Sequence, residues 1–129
     1  MRQLLDVLRR HQSVTGEQLR TDIERRLAVE RALQQLVDLA VKINAHAVTS
    51  HGMTTPADYH QSFAAAADLE MIARPLADQL APSTGLRNRL VHEYDDLDLD
   101  IVAHAIAGAV SQYDEYCRQV ARWLRDQAD

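Results

Sequence analysis

Residues 25–46 read "RRLAVERALQQLVDLAVKINAH", a stretch with no Gly and no Pro. Its apolar residues, with Ile23 just before them, fall at Leu27, Leu33, Leu36, Val37, Leu39, Ala40 and Ile43. That recurrence follows the helical repeat, so the stretch is expected to lie within one long helix over roughly residues 16–49 whose apolar side packs against other elements. Thr15 offers an N-cap for it, with Gln18 three residues on in a capping-box arrangement. On the N-terminal side, "SVTGEQL" separates it from a first helix over about residues 2–12. On the C-terminal side, "TSHGMTTPADY" reads as a loop, with Thr55 and Pro56 as N-cap and first residue of a short helix holding "DYHQSFAAAADLEMI". Pro75 opens another segment, and Pro82, Ser83, Thr84 and Gly85 interrupt it. A helix from near Leu86 to about Tyr94 follows. "DDLDLD" is then a loop, with Asp98 or Asp100 capping a last helix over about 100–126. In that helix Ile101, Ala105, Ile106, Ala109, Tyr113, Val120 and Leu124 line one side. The expected fold is all-α: an up-and-down bundle of four main helices with short additional helices, forming a single domain over residues 1–129.

The composition fits such a domain. Of 129 residues, 47% are hydrophobic and 26% charged, and a chain of this length buries roughly two-thirds of its unfolded surface without staples. The single cysteine, Cys117, excludes an intrachain disulfide and suits a reducing compartment. The start, "MRQLLDVLRRHQ", is charged and amphipathic rather than signal-like, and no apolar run approaches the ~18 residues that span a bilayer. No association with membrane is therefore expected, and the expected location is cytoplasmic. The formal charge of −5 argues against a general nucleic-acid coat. The charge is unevenly spread: seven of the 14 basic residues lie in the first 31 positions, and four aspartates fall between 95 and 100. Such a distribution leaves room for one small basic site or for a complementary protein partner.

A second stretch, "GLRNRLVHEYDD" at residues 85–96, concentrates the chemistry. At about 100° per residue, Asn88 and His92 share one helix face and Arg87 and Tyr94 another. Asn88 is then placed to touch His92 and select its tautomer. Arg87 lies about 140° round from His92 on that geometry, which fits either a helix ending near His92 or a site assembled from two copies of the chain. A histidine, an arginine and an amide suffice for metal-independent RNA cleavage. The imidazole moves the proton of a 2′-OH attacking its own phosphate, and the guanidinium neutralises charge on the phosphate in the transition state. On composition alone, the favoured reading makes Arg87 and Arg89 solvated helix cations and His92 a side chain that caps or packs at the helix end.

The same residues resemble the signature of the HEPN family, in its HepT-like toxin branch: Arg87, Asn88, His92 and Tyr94 within "GLRNRLVHEYDDLD". "RRLAVERALQQLVDLAVKINAH" is similar to that family's long second helix, and "TTPADYHQSF" to its loop and short helix, so the resemblance covers about residues 20–115. It implies a helical bundle that forms a homodimer with the two motif regions meeting across a cleft. It implies an endoribonuclease acting on RNA, with Arg87 and His92 as the central catalytic pair and Asn88 orienting His92. It also implies a toxin paired with a minimal nucleotidyltransferase antitoxin that places AMP on Tyr94. Gln34 stands where many relatives carry a glutamate one turn before the position of Asp38. No role is assigned there, and Asp38 itself is either a candidate polar group facing the cleft or a helix-surface or helix-pairing carboxylate. The alternative is a non-catalytic HEPN module that only binds a nucleotidyltransferase or a nucleotide. The acidic net charge leans that way, while the combination of Arg87, His92 and Tyr94 leans toward the enzyme.

Nothing else in the sequence calls for a cofactor. His46, His51 and His60 straddle a loop without metal-ligand spacing, so no metal site is expected. Cys117 lacks a nearby histidine and reads as a packed thiol. Trp123 reads as a core or dimer contact, and with six aromatic residues in all no stacking platform for single strands is evident.

Overall fold

The computed structural model describes residues 1–93 and 96–128, and these contain seven α-helices and no strand. They are α1 (Arg2–Arg10), α2 (Gly16–Thr21), α3 (Ile23–Ser50), α4 (Tyr59–Asp68), α5 (Arg74–Leu80), α6 (Pro82–His92) and α7 (Leu99–Ala128). The two long helices, α3 and α7, carry the fold. α1 and α2 pack on both of them, α4 and α6 lie on α3, and α5 joins α4 to α7. Leu36, Val29, Phe63, Val102, Ile106, Tyr113 and Tyr116 fill the space between them, each nearly inaccessible to solvent. None of the described helices is long and apolar enough to cross a membrane.

Local sequence explains most of the helix ends. The capping box at Thr15 forms on both sides: Gln18 N donates to Thr15 Oγ1 at 3.1 Å and Thr15 N to Gln18 Oε1 at 3.0 Å. The helix it starts is only one and a half turns long, because Asp22 leaves helical geometry (φ −121, ψ 93) and caps α3 by accepting from Arg25 N. The expected single helix over 16–49 is thus two. Likewise the helix expected at Thr55–Pro56 begins at Tyr59, where Asp58 accepts from Gln61 N at 2.8 Å. The motif helix begins at Pro82 rather than Leu86: proline's fixed φ and missing N–H suit a first turn. It ends at His92. Asp98 precedes α7 and its carboxylate accepts from Asp100 N.

The apolar stripes read from periodicity require correction. Ile23, Leu27 and Leu39 on α3, and Ile101 and Leu124 on α7, are exposed by 36–59%. Val29, Ala32 and Val48, and Val102, Val110 and Tyr116, hold the buried positions beside the expected ones. Two polar bridges fasten the helices internally. Tyr116 Oη lies 2.6 Å from Asn44 Oδ1 and 3.2 Å from the Ala40 carbonyl. Asn44 Nδ2 donates to Ser62 Oγ, which donates to the Tyr59 carbonyl. This bridge runs from α7 through α3 to α4. The second joins α6 to α7 through Ser83 Oγ and Tyr113 Oη, 2.6 Å apart. Burial pushes both phenols up from their ordinary pKa, with the Ser83 hydrogen bond opposing the shift at Tyr113.

At Gly16 the starts of α2 and α7 come close together. A Cβ there would lie 1.8 Å from Asp100 Oδ1 and 2.9 Å from Asp100 N. The carboxylate can swing away but the backbone nitrogen cannot, so Gly16→Ala is expected to separate the starts of α2 and α7. The cost is about 1–3 kcal/mol, to be read as a lower denaturation midpoint at unchanged slope.

Candidate functional site

The site is built where α6 crosses α3. Leu90 is buried and Leu86 half-buried on α6, so the helix rests its apolar side on the core. Ser83 and Thr84 turn their hydroxyls back to the Leu80 and Ala81 carbonyls, which closes the α5–α6 junction. With the Ser83–Tyr113 contact, this fixes the first turn of α6. Arg87, one turn on from Ser83, then projects across α3.

Arg87 is held on three sides. Its Nε donates to Asp38 Oδ1 at 2.8 Å. Its Nη1 donates to Asn88 Oδ1 at 3.3 Å. Its guanidinium carbon stands 4.7 Å from the centroid of the Tyr59 ring, a cation–π geometry. The side chains of Arg87 and Asp38 are 18% and 26% exposed, so the pair is shielded but still reachable from solvent. Asp38, the candidate polar group of the cleft, is therefore the anchor of the arginine. Asn88 turns to Arg87 and not to His92, contrary to the expectation from their spacing. Side chains one residue apart meet here because the long guanidinium folds back along its helix.

His92 is the last residue of α6 and is exposed. The helix closes behind it with Glu93 N donating to the Arg89 carbonyl at 2.8 Å. Among the described residues, neither Arg87 nor Asn88 hydrogen-bonds to it. The structure thus assembles Arg87, Asn88 and Asp38 and leaves the imidazole open to solvent at the helix end. Tyr94, the expected site of AMP attachment, lies outside the described residues. Tyr59 was not among the expected site residues. It sits in a loop-to-helix stretch far along the chain from both Asp38 and Arg87, and only the packing of α4 on α3 brings it beneath the guanidinium.

Beside Arg87 opens a groove of about 520 Å³ between α3, α6 and α7, lined by Leu33, Val37, Leu86, Leu90, Ile101 and His104 among others. No group of three or more His, Cys, Asp or Glu suited to a metal ion occurs among the described residues. The remaining expected features lie elsewhere. The His51 ring bonds the Ala47 carbonyl and Gln127 and tilts against Trp123 at 5.1 Å. Cys117 is half-buried, and burial pushes its thiol above the ordinary value.

The site is thus a helical bundle's crossing point, with an arginine clamped against an aspartate and a histidine open at the helix end. The chain belongs to the HepT-like family, "Ribonuclease HepT-like", whose model matches residues 1–120. It is 36% identical over 120 residues to a tRNA nuclease HepT of Aphanizomenon flos-aquae, covering 93% of this chain and 82% of that one. It is 30% identical over 101 residues to an mRNA nuclease HepT of Shewanella oneidensis, covering 78% and 76%. Among solved structures it resembles the tri-AMPylated Shewanella oneidensis HEPN toxin in complex with MNT antitoxin, at 25% identity and a TM-score of 0.76, covering 93% of this chain and 95% of that one. A toxin–antitoxin crystal structure with AMP-PNP shares the fold at a TM-score of 0.83 and 24% identity, covering 94% and 91%.

Proposed function

We propose that this chain is the toxin of a toxin–antitoxin pair and cleaves RNA without a metal ion, using Arg87 and His92. The observation that carries the reading is the fixed guanidinium. Asp38 uses Nε and Asn88 uses Nη1, so the outer edge of Arg87 remains able to grip a phosphate. In the reaction a 2′-oxygen attacks the adjacent phosphorus and its proton passes to a base. The bond from phosphorus to the 5′-oxygen breaks, and that oxygen takes a proton from an acid. The products are a 2′,3′-cyclic phosphate and a 5′-OH. His92 serves one or both proton transfers, Arg87 stabilises the charge gathering on the phosphate, and Asn88 and Asp38 hold Arg87 in register. Incubating the protein with tRNA or mRNA in excess EDTA tests the proposal: cleavage ending in cyclic phosphate supports it, and cleavage that requires added metal overturns it.

Tyr59 contributes through its ring face. Tyr59→Phe is expected to keep full cleavage, whereas Tyr59→Leu loses about five-fold in kcat, the worth of about 1 kcal/mol of cation–π contact. Single-turnover assays on RNA check this.

The active form is read as a homodimer. Ile101 is 45% exposed at the wall of the groove beside Arg87, which Leu33, Val37 and Leu86 also line. A second copy would cover such apolar side chains and bring two motif helices together. Sedimentation should show a dimer.

The partner in this reading is a minimal nucleotidyltransferase that silences the toxin by transferring AMP to Tyr94, in keeping with the AMPylated state of the similar Shewanella toxin. The phenol lies two residues past His92, and a phosphodiester there would compete with RNA for Arg87 and repel its backbone. Tyr94→Phe is expected to keep cleaving RNA but to escape silencing by the partner with ATP and magnesium. Full silencing of Tyr94→Phe would move the control site elsewhere.

A further inference from the structure

α3 carries a line of polar side chains that passes through the site: Arg31, Gln35, Asp38 and Lys42. At 3.6 residues per turn they stay within a band of about 60° on one face. Along the axis Arg31 stands about 10 Å before Asp38 and Lys42 about 6 Å after it. Both cations are exposed. Their pairing differs from that of Arg87. Arg9, Arg20, Arg26, Arg74, Arg87 and Arg118 all lie within ion-pair distance of a carboxylate. Among the described residues Arg31 has no such partner and is gripped by a neutral one. With its amide oriented to face the guanidinium, Gln35 accepts from Nε and Nη2 of Arg31 at 3.1 Å each. Gln35 therefore orients the fork without cancelling its charge. Lys42, the chain's one lysine, likewise has no ion pair among the described residues. Asp38, the carboxylate in the line, is already engaged by Arg87.

We propose that this face of α3 is the track for the RNA backbone, with Arg31 and Lys42 each holding a phosphate on either side of the one at Arg87. The proposal rests on the ribonuclease reading above and adds to it where the strand lies. At about 3.4 Å per stacked nucleotide, the two cations stand about three and two nucleotides from the reacting phosphate. A net-acidic protein then binds its substrate through a short, local row of uncompensated cations instead of a general basic surface. Neither residue touches the reacting atoms, so their loss acts on binding.

The test uses full-length protein with His92→Ala, which holds RNA without cutting it, and a fluorescent single-stranded RNA. The slope of log affinity against log salt is expected to fall by about 0.7 for Arg31→Gln and again for Lys42→Gln, the value for one phosphate contact on a single strand. Arg122→Gln, an exposed cation outside the line, should leave the slope unchanged. In the cleaving protein the same two substitutions should raise KM and leave kcat in place. Saturating RNA should also protect Lys42 from acetylation by an acetyl N-hydroxysuccinimide ester. If RNA is cut normally while both slopes and Lys42 acetylation are unchanged, the track is wrong and the ribonuclease reading stands. If Arg31→Gln weakens capture of the antitoxin instead, the face belongs to that protein. If the parent protein neither binds nor cuts RNA, both readings fall together.

Discussion

Arg87→Ala is expected to lower RNA cleavage by about 10³-fold, the scale on which a preorganised group facing developing charge contributes. The loss has two parts. The guanidinium itself is removed from the phosphate, and Asp38 is left without its partner in a partly shielded place. The second part also weakens the fold. A fully buried pair broken on one side costs about 3–5 kcal/mol, and a pair as open as this one, 18% and 26% exposed, should cost about 1–2 kcal/mol. Arg87→Lys should recover much of the stability and little of the activity, because an ammonium cannot bond Asp38 and a phosphate along two edges at once. Denaturation curves and initial rates on one RNA substrate separate the two parts. Full activity in Arg87→Ala would remove the arginine from the mechanism.

His92→Ala is expected to lose cleavage by about 10²–10⁴-fold, the range for a positioned general acid or base, with hardly any change in stability. The imidazole is exposed at the last position of α6, so its removal opens no cavity and strands no partner among the described residues. The pair of variants thus makes a contrast: Arg87→Ala should lose both rate and stability, His92→Ala only rate. A His92→Ala protein that melts early, or that cuts RNA at the parental rate, would contradict the assignment.

What could be read from the sequence was whatever rests on neighbouring residues. The capping box at Thr15 and Gln18 needs four residues and formed as expected. Pro82 signalled a helix boundary, although the helix starts on it and not after it. The break at Asp22 was hidden because an aspartate that caps the next helix looks, in sequence, like any surface aspartate. Periodicity located the sides of α3 and α7 but not the edges of contact. Ile23, Leu27 and Ile101 keep the repeat yet lie in the open. The motif revealed which chemical groups cluster on α6. That Asp38 and Tyr59 complete the hold on Arg87 depends on three helices meeting, and no spacing within one helix encodes it. The direction of Asn88 is a matter of rotamers, which a helical wheel does not fix.

α6 is bolted at one end to α7 by Ser83 and Tyr113, and midway to α3 by Arg87 and Asp38. The guanidinium held this way is already in position at rest. On the proposed reading, silencing by a cover leaves this ion pair intact, whereas dragging Arg87 aside would add the cost of breaking it. A cover stores no conformational work, so the protein has no slow rearming step. On the proposed reading, a toxin molecule becomes dangerous as soon as its cover is gone or is never added. The cell's margin of safety then lies in how promptly each new copy is capped after synthesis, not in how reluctantly the toxin changes shape.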